Sequence, residues 1–177
     1  MHRLFFALVF LVLFSCSSNE KESSAILASN DFDSLAGWTG GIAIPSLTRE
    51  RAHSGKYSVK VDPTGSEYSN GYSGQLKELS DNKLKKINIS AWVYLPDGNA
   101  SAVLVTQIID PSNNKTLLWE ALNFTKEIKT FNKWVKVEQE VTLPDNISYN
   151  SVLNVYMWRA TSTKPVFMDD LIISKVE

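Results

Sequence analysis

Lys86-Ile87-Asn88-Ile89-Ser90-Ala91-Trp92-Val93-Tyr94 sets Ile87, Ile89, Ala91 and Val93 on one side of an extended chain and Asn88, Ser90, Trp92 and Tyr94 on the other. Period-two alternation is the mark of a strand with one core face. The same pattern recurs downstream. Val135, Val137 and Val141 oppose Lys136, Glu138 and Glu140, and Leu153, Val155 and Met157 oppose Asn154, Tyr156 and Trp158. Around these runs the predicted strands are 42–48, 57–61, 71–76, 86–94, 102–110, 115–122, 134–141, 152–158 and 166–175. Turn clusters separate them, as in Leu95-Pro96-Asp97-Gly98-Asn99 and Asp110-Pro111-Ser112-Asn113-Asn114. Helical periodicity is scarce. Many short strands, each with one buried face, predict an all-β fold, a two-sheet antiparallel β-sandwich.

The N-terminus has a different character. His2-Arg3 precede an apolar run from Leu4 to Phe14, too short to span a bilayer comfortably and suited to an export signal. Leu13-Phe14-Ser15-Cys16 resembles the lipobox of bacterial lipoproteins, although Phe14 is bulkier than the usual occupant. Cys16 is the sole cysteine, so it has no intrachain disulfide partner. A diacylated cysteine supplies the two chains that stable anchoring needs. The expected organisation is therefore a signal at 1–15, a lipidated cysteine with a polar tether at 16–25, and one domain at 26–177. The expected location is the bacterial cell envelope, lipid-anchored, with the outer membrane as the membrane concerned.

The chain has 18 basic and 19 acidic residues, and removal of Arg3 with the signal leaves a formal charge of −2. Such a balance provides no electrostatic footprint for nucleic acid. Catalytic signatures are also missing. His53 is the only histidine after the signal. It reads as a solvated turn residue, and it forms no zinc cluster with a second histidine or a free thiol. Glu138 and Glu140 share a strand face near Lys133 and Lys136, which reads as a charged surface rather than a glycosidase pair. The chain is expected not to be an enzyme.

Landmarks in order carry a resemblance. Asn30-Asp31-Phe32-Asp33 with Gly37-Trp38 is followed by His53-Ser54-Gly55-Lys56-Tyr57-Ser58-Val59-Lys60-Val61. Ile89–Tyr94, Asn132–Val137, Thr142-Leu143-Pro144, Val155–Trp158 and Val166–Ile173 complete the series. It resembles the galactose-binding-like jelly roll, in particular carbohydrate-binding modules of the family 4/9 type, over nearly all of the chain after the tether. The resemblance implies a structural Ca²⁺ held by the Asp33 and Asp169 carboxylates and by backbone carbonyls near Asp31, His53 and Lys56. Asp33 stands where the family usually has a longer Glu.

The resemblance also places strands 71–76, 102–110, 115–122 and 152–158 in one sheet with a concave outer face. Asn154, Tyr156 and Trp158 would form a stripe on that face, with Tyr72, Gln107, Trp119 and Arg159 as neighbours. Aromatic faces with amide and guanidinium partners suit the flat C–H surfaces and hydroxyls of a sugar. Tyr156 and Trp158 are read either as exposed platforms or as rings covered by loops, while Trp38 and Trp134 are read as buried. The expected ligand is a glycan or polysaccharide. The alternative is an adhesion or assembly lipoprotein whose sandwich face binds a protein partner in the envelope.

Replacing Cys16 with Ala is expected to abolish metabolic lipid labelling and normal processing. Undiminished labelling of the variant would contradict the anchor.

Overall fold

The computed structural model describes residues 25–35 and 44–176. The predicted signal, Cys16, most of the tether and Trp38 lie outside the described residues.

Among the described residues, ten strands form two antiparallel sheets. They are β1 (Ile26–Asn30), β2 (Leu47–Thr48), β3 (Ser58–Val61), β4 (Tyr72–Gln75), β5 (Lys86–Tyr94), β6 (Val103–Asp110), β7 (Lys115–Asn123), β8 (Trp134–Thr142), β9 (Val152–Trp158) and β10 (Val166–Lys175). One sheet runs β2-β3-β10-β5-β8, with β1 also paired to β10, and the other runs β4-β9-β6-β7. The second sheet contains the four segments that the resemblance grouped together.

Alternation dictates the core. β5 directs Ile87, Ile89, Ala91 and Val93 inward, and all four are fully buried. β9 answers with Leu153, Val155 and Met157, also fully buried, while Phe32 and Phe124 add two large buried rings. Burying such side chains contributes about 1.5–3 kcal/mol each, which is why the face assignment is firm along these strands.

The structure departs from the sequence reading at the strand ends. β1 forms at Ile26–Asn30, where no alternation announces it, by pairing Asn30 with Leu171 and Ile26 with Ser174 of β10. The strand expected at 42–48 is reduced to Leu47–Thr48 among the described residues. Pro45 sits in a turn closed by Leu47 N–H donating to the Ile44 carbonyl at 3.0 Å, and proline has no N–H to give a ladder. Two one-turn helices, Leu76–Leu79 and Phe124–Glu127, each bury their first residue as a plug.

The turn after β3 aims the chain toward the second sheet. Asp62 is nearly buried. Its Oδ1 accepts from Thr64 N–H at 2.9 Å and Thr64 O–H at 3.0 Å, and Lys60 Nζ lies 3.0 Å from Oδ2. Burial pushes the Asp62 carboxyl up, but the Lys60 and Thr64 hydrogen bonds outweigh it and hold the group below its ordinary value. A carboxyl depressed by folding stabilises above its unfolded pKa, and that contribution is lost as pH falls through the folded pKa. Asp62→Asn is therefore expected to cost about 1 kcal/mol, or about 3 °C of melting temperature, near pH 7. The gap should close as the pH is lowered through the carboxylate range. A gap that persists unchanged in acid would contradict this role.

Candidate carbohydrate-binding face and acidic turn

Register decides what the outer face of the four-stranded sheet displays. Trp158 pairs with Val103, Tyr156 with Val105 and Asn154 with Gln107 across β9 and β6. Gln107 then pairs with Trp119, and Val105 with Ala121, across β6 and β7. Directly paired residues share a face. Asn154, Tyr156, Trp158, Gln107 and Trp119 therefore lie together, opposite Leu153, Val155 and Met157. None of the outward positions on β4, β6, β7 and β9 holds a charged side chain.

Trp119 is 49% exposed, and Tyr156 and Trp158 are half-buried. Burial pushes the Tyr156 phenol up, with Tyr68 adding to the shift and the Trp119 side chain opposing it. Val103 and Val105 lie on this outward face and are nonetheless buried, so they form an apolar floor beneath the rings. Asn154 Oδ1 accepts from Ser73 O–H at 2.7 Å. Arg159 is tied down elsewhere, with its Nη1 donating to the Ser162 carbonyl at 3.1 Å.

One expected neighbour is on the other side. Tyr72 pairs with Val155, so it faces the core side of β4 and packs against the hydrophobic cluster. Burial raises its phenol pKa, and Glu78 adds to the effect. Tyr72 is therefore not part of the stripe.

Two residues join the face without having been anticipated. Tyr68 forms an antiparallel bridge with Trp158. Its ring lies 6.2 Å from the Trp158 ring at an interplanar angle of 13°, and 5.9 Å from Tyr156 at 68°. It is 53% exposed. Glu67 accepts from Trp158 Nε1 at 3.2 Å. Both stand in a polar segment without periodicity, so the only sequence signal was an aromatic residue among Ser, Gly and Asn.

On the outer face of the other sheet, the segment leading into β3 covers the aromatic end of β5 and β8. The Arg51 guanidinium lies 4.3 Å from the centre of the Tyr94 ring. His53 stacks on Trp92 at 3.9 Å and 13°, and meets Trp134 edge-on at 5.8 Å. Its Nδ1 lies 2.5 Å from Asp170 Oδ2. His53 is therefore a packed, hydrogen-bonded residue rather than a solvated one. Trp134 is half-buried against His53 and Tyr94. Glu138 and Glu140 are exposed and paired with Lys136 at 2.5 Å and Lys86 at 2.6 Å.

The residues expected around Ca²⁺ converge on the same turn. A bulge in β10, with Asp170 at φ 48°, turns Asp169 and Asp170 together toward residues 53–54. Asp169 Oδ2 accepts from His53 N–H at 2.7 Å and Ser54 N–H at 3.2 Å, and Oδ1 accepts from Asp170 N–H at 2.8 Å. Burial pushes the Asp169 carboxyl up, the three N–H bonds oppose this, and Asp170 adds to it. Asp33 accepts from Lys56 N–H through both oxygens, at 2.8 and 3.1 Å. Asp31 Oδ1 accepts from Asp33 N–H at 3.0 Å. Gly55, at φ 56°, lies so close to Asp33 that a Cβ would fall 1.8 Å from Oδ2.

Neither Asp33 nor Asp169 has a Lys or Arg partner among the described residues. Two carboxylates from separate segments that both bind the turn at residues 53–56, with no balancing Lys or Arg among the described residues, are of the ligand type a hard cation takes. No group of three His, Cys, Asp or Glu side chains converges among the described residues. A cation here would therefore complete its shell from backbone carbonyls.

Residues 24–163 match the carbohydrate binding domain family CBM_4_9. The chain belongs to that family. No curated protein matches it significantly. Among solved structures it is similar to the CBM22-1 xylan-binding domain of Paenibacillus barcinonensis Xyn10C, at 24% identity and a TM-score of 0.53, covering 87% of this chain and 96% of that one. The CBM22-1-CBM22-2 tandem domain of the same enzyme matches at 22% identity and a TM-score of 0.55, covering 87% of this chain and 47% of that one. A further xylan-binding domain from CBM 22 matches at 17% identity and a TM-score of 0.51, covering 86% and 96%. These likenesses show the fold, a carbohydrate-binding-module jelly roll.

Proposed function

We propose that this member of the carbohydrate binding domain family binds an uncharged polysaccharide, without catalysis, through the outer face of the four-stranded sheet. The observation that carries the reading is the open aromatic stripe of Trp158, Tyr156 and Tyr68, with Trp119 across β6 and the amides of Asn154 and Gln107 between them. Rings supply platforms for sugar C–H faces, and amides supply donors and acceptors for hydroxyls. The lack of charge at the outward strand positions favours a neutral polymer. Xylan is a natural first probe, because several structurally similar domains are named as xylan-binding.

In the proposed setting the domain is tethered to a membrane through Cys16. An open face leaves much of a ligand hydrated, so affinity per site is modest. Many tethered copies meeting one polymer would raise the effective concentration. Protein docking on the same face is the second reading. Exposed Tyr68 and Trp119 favour it insofar as both are large rings at a surface.

Affinity electrophoresis against xylan, mixed-linkage β-glucan and mannan tests the assignment. Trp158→Ala is expected to weaken retention about tenfold in the folded fraction, with a stability loss of about 1 kcal/mol from uncovering Val103. Trp134→Ala is expected to destabilise by about 1–3 kcal/mol and leave retention intact in the folded fraction. Passage of the native protein through every glycan unretarded, with Trp158→Ala unfolding the domain, would reject the assignment.

The acidic turn is proposed to hold one Ca²⁺ through Asp33, Asp169 and neighbouring carbonyls, pinning β1, β10 and residues 53–56 together. Binding only to the folded state stabilises by about 2.7 kcal/mol at a hundredfold excess over Kd. Chelator should lower the melting temperature by about 5 °C or more, and Ca²⁺ should restore it. An identical melting curve in chelator, with no metal by elemental analysis, would reject the site.

A further inference from the structure

We propose that Glu67 is a positioning residue for the carbohydrate face, holding the Trp158 indole in its stacking orientation and enriching its π-face. The proposal rests on the glycan reading of that face.

Three observations carry it. First, Glu67 Oε1 accepts from Trp158 Nε1 at 3.2 Å, while Trp158 stands parallel to Tyr68. An indole on one strand is otherwise free to rotate about its side-chain bonds, and an anchored N–H removes that freedom before a ligand arrives. Second, Glu67 is held on a rail rather than on a loose loop. Its carbonyl accepts from Arg159 N–H at 2.8 Å. Two residues on, Ser69 N–H donates to the Met157 carbonyl at 2.8 Å, and Ser69 Oγ accepts from Met157 N–H at 2.9 Å. Third, the Glu67 carboxylate makes no ion pair with Lys, Arg or His among the described residues. The Arg159 guanidinium donates to the Ser162 carbonyl. Among the described residues the side-chain donor that this carboxylate meets is the indole N–H.

A carboxylate acceptor polarises the N–H it binds. Electron density moves toward the ring, and the face that meets sugar C–H groups becomes more negative. Glu67 is exposed and supports no core residue, so its side chain has little to do with stability. A Gln in its place keeps an acceptor oxygen and loses the charge. The two parts of the role are therefore separable.

The test compares native protein with Glu67→Ala, Glu67→Gln and Trp158→Phe. The Trp158 indole N–H resonance, identified by its loss in Trp158→Phe, is followed in ligand-free protein. It is expected to shift upfield furthest in Glu67→Ala and only partway in Glu67→Gln, which keeps the acceptor and loses the charge, with melting temperatures unchanged. Affinity for the best-retained polymer among xylan, mixed-linkage β-glucan and mannan is expected to fall about fivefold in Glu67→Ala, the equivalent of one hydrogen bond. Glu67→Gln should recover part of it, the remainder being the contribution of the charge; full recovery would overturn the enrichment of the π-face and leave only the orienting role. An indole resonance indifferent to Glu67→Ala would overturn the proposal. So would a resonance that moves while affinity stays native, and in that case the glycan reading stands. If the native protein is retained by none of the polymers, the glycan reading fails and this role fails with it.

Discussion

Strand β9 has a neighbour on each edge and a use for each face. Leu153, Val155 and Met157 are fully buried against the facing sheet, while Asn154, Tyr156 and Trp158 look out. A slip of one residue would exchange the two sets. Exposing three such apolar side chains would cost about 5–9 kcal/mol, comparable to the whole stability of an ordinary domain. The register of β9 is thus locked by its core face, and the outward stripe inherits that rigidity. Through the β9–β6 and β6–β7 pairings it also fixes where Gln107 and Trp119 stand.

The two outer faces of the sandwich meet different fates. On the β2-β3-β10-β5-β8 sheet, residues 49–56 lay Arg51 over Tyr94 and His53 over Trp92, so aromatic surface is taken up within the fold. The acidic turn holds that segment in place through Asp169, Asp170 and Asp33. On the β4-β9-β6-β7 sheet no comparable segment among the described residues covers Tyr68 or Trp119. The aromatic end of one face is covered by the chain's own residues, and the other face presents rings and amides to solvent. The same fold family can present either arrangement, so the assignment of function rests on these particular side chains.

Much of this was legible in the sequence where burial is one-sided. β5, β8 and β9 announce themselves because alternation and core contact coincide, and the sheet of β4, β6, β7 and β9 was grouped correctly. β1 was silent because its residues owe their strand conformation to β10, far along the chain. Tyr72 was assigned to the wrong face because β4 is short and contains Gly74, leaving too little alternation to set its parity. Tyr68 and Glu67 were missed because a bridge to Trp158, not periodicity, brings them to the face. His53 was read as solvated because its partners, Trp92 and Asp170, are neighbours only after the sheet forms.

The central claim is that the outer face of the β4-β9-β6-β7 sheet is the ligand surface. Titrating isotopically labelled protein with xylan oligosaccharides, and with β-glucan and mannan oligosaccharides in turn, while following the tryptophan indole resonances tests it directly. The account predicts that Trp158 and Trp119 move together along one saturable curve for at least one glycan, while Trp92 and Trp134 stay still. Saturable movement of Trp92 and Trp134 with Trp158 and Trp119 unmoved would place the ligand on the opposite sheet and contradict it.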